Sequence, residues 1–291
     1  MVSETLGKKA TYSSIVPYRD HNVGPRSYSK CTVRAQDYFW IKSQQSKPLW
    51  YRLASRAIIG CTTGLLRTII GLGLVKTTVV NREAFVSIIT DPKRIAPVLT
   101  FSNHISTFDD PAIWGVLPKT ITQNPEYMRW TLAFFSMGQV IPTIRGAGIY
   151  QSAVDLAISL LGYNKWVHIF PEGYVNQNGT IDRFKWGISR IILESDSVPI
   201  IIPIFHAGLD EVFPLTNKHR YPVLFSEEKK HIYIEFGNPI DLSKTLDEYN
   251  YIKKERLDID KNELDIKFRI MITQRLSEEL EKLKINYESA K

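Results

Sequence analysis

Ala96-Pro-Val-Leu-Thr-Phe-Ser-Asn-His104-Ile-Ser-Thr-Phe-Asp109-Asp110-Pro111 is the stretch on which the reading of the fold turns. Ala96–Phe101 is largely apolar on both alternating faces, the pattern of a strand buried inside a sheet. Asp110 before Pro111 pairs a good helix cap with a residue suited to the first turn, so a helix is expected over Pro111–Leu117. A buried strand that gives way to a helix delivers His104 to the strand's carboxyl end, where open α/β sheets gather their ligands. With Asp110 spent as a cap, Asp109 is free for another task. It lies five residues beyond His104, and a strand–loop–helix corner can fold its carboxylate back onto the imidazole. That contact would fix the ring's tautomer and leave the other nitrogen as a base. Taken alone, a histidine followed by an aspartate is more often a core histidine beside a capped helix.

A second segment changes those odds. Trp166-Val-His-Ile-Phe170-Pro171-Glu172-Gly173 is another hydrophobic strand, and it ends in a tight exit that holds a carboxylate and a glycine. Working outward, Val75–Val80, Gln139–Ile144, Val198–Phe205 and His231–Phe236 also read as strands. Helical spacing appears at Tyr150–Leu161, Gly187–Glu194 and Leu264–Lys284, the last with Phe268, Ile272, Leu276 and Leu280 four apart. The expected fold class is α/β, a mixed, largely parallel central sheet flanked by helices, preceded by an N-terminal interfacial membrane-anchor segment. No internal repeat is visible.

The charge lies in front. Residues 1–56 hold ten Lys/Arg against three acids, which accounts for the whole net charge of +7, while residues 57–291 carry 27 of each sign. A neutral body with a basic front suggests attraction to anionic lipid or an import signal, rather than a nucleic-acid groove, although an ordinary solvated tail has the same composition. Residues 1–47 are polar and interrupted by Pro17 and Pro25, and read as a poorly ordered extension and targeting segment. Residues 48–76 are apolar, but Arg67 near their middle would cost roughly 2.5–3.5 kcal/mol in a spanning helix. A monotopic segment lying along the interface fits better, with Trp50, Leu53, Ile58, Ile59, Leu65, Leu66, Ile69 and Ile70 toward lipid and Arg52, Arg56, Arg67 and Lys76 reaching the headgroups. A buried core helix is the competing reading. Residues 77–291 form the catalytic domain. Cys31 and Cys61, the two cysteines, exclude a disulfide framework and show no zinc spacing. His168 and His206 sit on different apolar strands and read as core or pocket-wall histidines, so no metal and no cofactor is expected.

Taken together, the Asn-His-x4-Asp block at 103–109 and the Phe-Pro-Glu-Gly block at 170–173 resemble those of the glycerolipid acyltransferases. The likeness covers residues 48–285. It is carried by NHISTFDDPAIWGVLP, MRWT, FFSMGQVIPTIRGAGIYQ, WVHIFPEGYVNQ, RFKWGISRIILES and PIIIPIFHAGLDEVFP in that order. The resemblance implies a glycerol-phosphate-acyltransferase-like fold and a phospholipid–lysophospholipid transacylase that remodels cardiolipin without coenzyme A. Its lipids would be cardiolipin, monolysocardiolipin and phosphatidylcholine. Its place would be mitochondrial membranes facing the intermembrane space, inner or outer, as a peripheral or monotopic protein, with oligomerisation left open. Carried over by residue, His104 and Asp109 are the catalytic pair. Arg145 and Gly146 match the second block, where an arginine meets lipid phosphate. Glu172 and Gly173 help shape the phosphate and glycerol site, Pro203 lines a substrate pocket, and Asn103, Phe170 and Pro171 complete the substrate-binding set. The chain departs from the family between MRWT and FFSMG, where only Leu132 and Ala133 replace a longer insert. An acyl-coenzyme A-dependent acyltransferase would share every one of these residues. A non-catalytic lipid-binding scaffold is the reading from another class. No Gly-x-Ser-x-Gly elbow is present, which disfavours a serine acyl-enzyme.

Overall fold

The structure, a computed structural model, describes residues 57, 60–61, 63–65, 67–124, 127–133, 140–144, 146–214, 230–255 and 259–291. The basic extension 1–47 and the expectations placed on Trp50, Leu53, Ile58, Ile59, Leu66 and Arg145 lie outside those residues.

Seven strands form one sheet: β1 (Lys76–Val80), β2 (Val98–Ser102), β3 (Trp130–Ala133), β4 (Val140–Pro142), β5 (Trp166–Ile169), β6 (Ile200–Ala207) and β7 (His231–Phe236), in the order β1-β7-β6-β2-β5-β3-β4. Every neighbouring pair is parallel except β6 and β7, so β1 and β7 run against the other five strands. Gly208 makes the reversal after β6 possible. Its φ is +83°, and a Cβ there would lie 1.9 Å from the carbonyl oxygen of His231. β2 sits at the centre, between β6 and β5, which is why it is buried at every residue.

The helices are α1 (Arg82–Thr90), α2 (Asp109–Gly115), α3 (Lys119–Thr122), α4 (Ser152–Gly162), α5 (Gly187–Glu194), α6 (Leu209–Val212), α7 (Ser243–Glu255) and α8 (Lys261–Ser289). Alternation along the strands divides the core into two layers. Leu99, Phe101, Val167 and Ile201 point toward α4, α5 and α8, where they meet Ala157, Ile188, Ile272 and Leu276. Val98, Trp166, Ile202 and Ile204 point the other way, onto Phe85 and Ile89 of α1 and Ile113 and Trp114 of α2.

The described residues from 57 to 71 are helical, and their end packs on the second layer. Ile69 is only 4% exposed and joins the cluster of Phe85, Ile89 and Trp114, with Ile70 half-buried against it. Both were expected to face lipid, and both face protein instead. The apolar surface of α1 and α2 lies within reach, so Ile69 joins the core and Ile70 packs at its margin. Arg67 is likewise turned inward: its guanidinium donates to the Leu117 carbonyl, and burial lowers its pKa. Leu65 and Leu72 stay exposed, at 51% and 69%. Among the described residues no helix is long and apolar enough to cross a membrane.

Candidate active site

At the carboxyl end of β2 the chain turns so tightly that Asp109, the first residue of α2, folds back onto the turn. Its Oδ2 accepts hydrogen bonds from His104 Nδ1 at 2.8 Å, from the Ile105 N–H at 2.7 Å and from the Ser106 N–H at 2.9 Å. A carboxylate oxygen so used is an acceptor, so the ring nitrogen facing it carries the hydrogen and Nε2 keeps its lone pair. Asp109 is fully buried, while the His104 side chain remains 21% exposed. A buried carboxylate thus orients a partly exposed imidazole.

The exit from β5 supports His104 at both its ring and its backbone. Phe170 stacks on it, with ring centroids 4.2 Å apart and planes 22° from parallel. Glu172 is 1% exposed and reaches the backbone rather than the ring. One carboxylate oxygen accepts the His104 N–H at 3.0 Å, and the other accepts Asn176 Nδ2 at 3.0 Å and the Asp182 N–H at 3.1 Å. Both oxygens are thus committed to protein donors, so Glu172 shapes the site by holding the turn. Pro171 is buried, and its carbonyl accepts the Lys185 N–H. Gly173 is exposed at φ +75°, with the Lys185 side chain lying where a Cβ would point. Gly146, also at positive φ, is exposed in the loop after β4.

Two expected substrate contacts are elsewhere. Asn103 is 4% exposed, with Nδ2 donating to the His206 carbonyl and Oδ1 accepting the His206 N–H. Its amide ties the end of β2 to β6. Pro203 pairs with Phe101 and shares its face, the one toward α8, where its ring lies against Gly237 and Leu283. His104 belongs to the opposite face, with Phe170 and the α2 layer. Strand alternation therefore puts the sheet between Pro203 and the His104–Asp109 pair.

Asp110 also differs from expectation. It is not the cap of α2, whose first residue is Asp109. Its carboxylate instead receives Trp114 Nε1 at 2.8 Å, Thr131 Oγ1 at 2.8 Å, and Arg129 through both Nε and Nη2. Burial would raise the carboxyl pKa, but the Arg129 guanidinium and these hydrogen bonds hold it below the usual range. The MRWT segment thereby locks β3 to α2, a role invisible in the sequence because its partner is 19 residues away. His168 lies under the site on β5, bonded to Thr100 Oγ1 at 2.9 Å, and burial pushes its pKa down to about 3. His206 on β6 is fully buried, with Nε2 3.8 Å from Asp109 Oδ2.

Residues 77–207 match the acyltransferase family. The chain is 35% identical over 220 residues to tafazzin of Drosophila melanogaster, an overlap of 71% of this chain and 56% of that protein. It is 40% identical over 136 residues to the protein named taffazin in Dictyostelium discoideum, covering 41% and 48% respectively. Over 180 residues it is 34% identical to N-acylphosphatidylethanolamine synthase of Arabidopsis thaliana, covering 57% and 63%. The chain thus spans about half to two thirds of the length of these relatives.

Proposed function

We propose, from the premise that the chain is a relative of the tafazzins with an acyltransferase domain at residues 77–207, that it moves acyl chains between phospholipids. The observation that carries this reading is the 2.8 Å contact between His104 Nδ1 and the buried Asp109. In this reading the contact leaves Nε2 of the partly exposed ring to act as the base.

In the proposed reaction a lysophospholipid hydroxyl attacks the ester carbonyl of a donor phospholipid while His104 Nε2 takes the hydroxyl proton. The new C–O bond forms as the carbonyl π pair moves to oxygen. The tetrahedral intermediate then collapses, and the imidazolium returns the proton to the departing lysolipid oxygen. Asp109 stabilises the imidazolium, and the stacked Phe170 holds the ring plane. Assistance of this kind is worth about 10²–10⁴ in rate. The lipid pair is phosphatidylcholine as donor and monolysocardiolipin as acceptor, with no coenzyme A in the cycle. The basic residues of 1–56 fit delivery to, and attraction by, anionic mitochondrial membranes facing the intermembrane space.

The test is transfer of labelled acyl chains from phosphatidylcholine to monolysocardiolipin in vesicles without coenzyme A. Transfer by the wild-type chain and its near-complete loss in His104→Ala are expected. Transfer that requires an acyl-coenzyme A would move the protein to the thioester-dependent class, and undiminished transfer by His104→Ala would refute the base.

The likeness to N-acylphosphatidylethanolamine synthase favours a second reading, in which the acceptor is the amine of phosphatidylethanolamine. The same base would take the proton from nitrogen. Adding phosphatidylethanolamine to the assay distinguishes the two, because the amide product survives mild alkali and the ester does not.

A further inference from the structure

His206 takes no part in the reaction just described, yet it is built into the same turn from the far side. It is fully buried on β6, and three hydrogen bonds join it to Asn103, the residue immediately before the catalytic histidine. Its backbone N–H donates to Asn103 Oδ1 at 3.1 Å, its carbonyl accepts Asn103 Nδ2 at 2.8 Å, and its Nε2 lies 2.8 Å from the Asn103 carbonyl oxygen. That last partner can only accept, so Nε2 carries the hydrogen. The same nitrogen lies 3.8 Å from Asp109 Oδ2, the oxygen that holds the His104 ring. Nδ1 is buried without a hydrogen-bonding partner among the described residues. A buried imidazole with one nitrogen unpaired is costly as mere packing, since an apolar side chain would fill the same volume without leaving a polar atom unsatisfied.

From this geometry we infer that His206 is a positioning residue for the acyl transfer. Its side-chain N–H clamps the Asn103 carbonyl, and with it the first peptide of the 103–109 turn, so that the His104 ring and the Asp109 carboxylate stay in register. The two backbone–amide bonds to Asn103 survive any substitution at 206. Only the Nε2–H contact depends on the side chain. The inference rests on the His104–Asp109 reading and deepens it: the base is held through Asp109 at one end of the turn and through His206 at the other. Misplacement of a catalytic group by about 1 Å can cost on the order of 10² in rate, so losing the clamp should affect turnover more than lipid binding.

The experiment compares His206→Leu with His206→Gln in the labelled phosphatidylcholine-to-monolysocardiolipin assay, alongside His104→Ala. The Leu side chain fills the site without a donor, whereas the Gln amide offers an N–H at similar reach. Expected are a roughly ten- to hundred-fold fall in kcat for His206→Leu with KM unchanged, and recovery of most of that loss in His206→Gln. If His206→Leu does not fold, His206→Met, whose flexible side chain fills the site and likewise offers no donor to the Asn103 carbonyl, must show the same fall in kcat at unchanged KM. Full turnover in His206→Leu with His104→Ala inactive overturns the inference alone. Equal loss in the Leu and Gln variants, tracking a loss of folded protein, also overturns it, because bulk alone would then explain the residue. Retained transfer in His104→Ala overturns the reading of the pair and this inference with it.

Discussion

The Glu172 carboxylate accepts the backbone N–H of His104 at 3.0 Å, so the exit of β5 holds the residue that follows β2 without touching its ring. Asn176 and Asp182 supply donors to the second oxygen. All three partners are donors, and this predicts that Glu172→Gln is not conservative, because its amide nitrogen would face an N–H. Both Glu172→Gln and Glu172→Ala should destabilise the fold, the latter by about 3 kcal/mol for buried donors left unpaired. Denaturant midpoints at constant m-value check this, and a wild-type midpoint for Glu172→Ala would dismiss the strut.

Asp109→Asn should separate orientation from folding. His104 Nδ1 and the Ile105 and Ser106 N–H groups all donate to the one oxygen, Oδ2, so the amide oxygen takes that place and preserves the turn, but a neutral amide cannot stabilise an imidazolium as the carboxylate does. A fall of roughly 10²–10⁴ in kcat is expected with the melting temperature little changed. Comparable turnover in the variant would mean that the 2.8 Å contact is structural.

His168 predicts an acid sensitivity whose sign follows from burial. Its folded pKa is pushed down to about 3 from an ordinary 6.5. Between those values the unfolded chain binds a proton that the folded chain does not, so stability is complete above about pH 6.5 and lost as pH falls toward 3. The slope from one such group is about 1.4 kcal/mol per pH unit. Thermal unfolding of the wild type and His168→Asn across this window should show the variant losing about one proton's worth of slope, and identical slopes would contradict it.

The buried Arg129 and the partly buried Asp110 make an ion pair that locks β3 to α2. Arg129→Met removes one partner and leaves a carboxylate committed to Trp114 and Thr131 without its countercharge, so a loss of about 3–5 kcal/mol is expected. Turnover per folded molecule should survive, since neither group reaches His104. Equilibrium unfolding combined with activity per folded protein tests both halves of that statement.

What the sequence makes legible follows the length scale of the interactions. Strands such as Trp166–Ile169 and His231–Phe236 announce themselves through short, mostly apolar runs, and the His104–Asp109 pair through a local block. β3 escapes a sequence reading because its four residues follow the polar Arg129, whose burial depends on Asp110. α1 and α7 escape it because each buries only two side chains, Phe85 and Ile89 in one, Leu246 and Tyr249 in the other, and the rest of their surface is polar or half-exposed. Within the site, Asn103 and Pro203 read as substrate contacts because a motif gives identity without facing. One is consumed by β6, and the other lies on the far side of the sheet. One of Glu172's three partners is a backbone N–H 68 residues away, which no side-chain pattern records.

The proposed membrane association can be tested on two apolar residues that stay exposed in the described part of 48–76. Ile69 and Ile70 are spent on the core, but Leu65 and Leu72 are 51% and 69% exposed beside them. Burying a leucine in lipid is worth roughly 1.5–3 kcal/mol, whereas attraction between the basic front and anionic headgroups is screened over about 3 Å in 1 M salt. The chain should therefore pellet with cardiolipin-containing vesicles and stay bound when salt is raised. Leu65→Glu with Leu72→Glu should convert that binding to a salt-releasable one, because only the charge attraction would remain. Complete release of the wild type by high salt would assign membrane association to the basic extension alone, and undisturbed salt resistance in the double variant would move the inserted surface away from these two leucines.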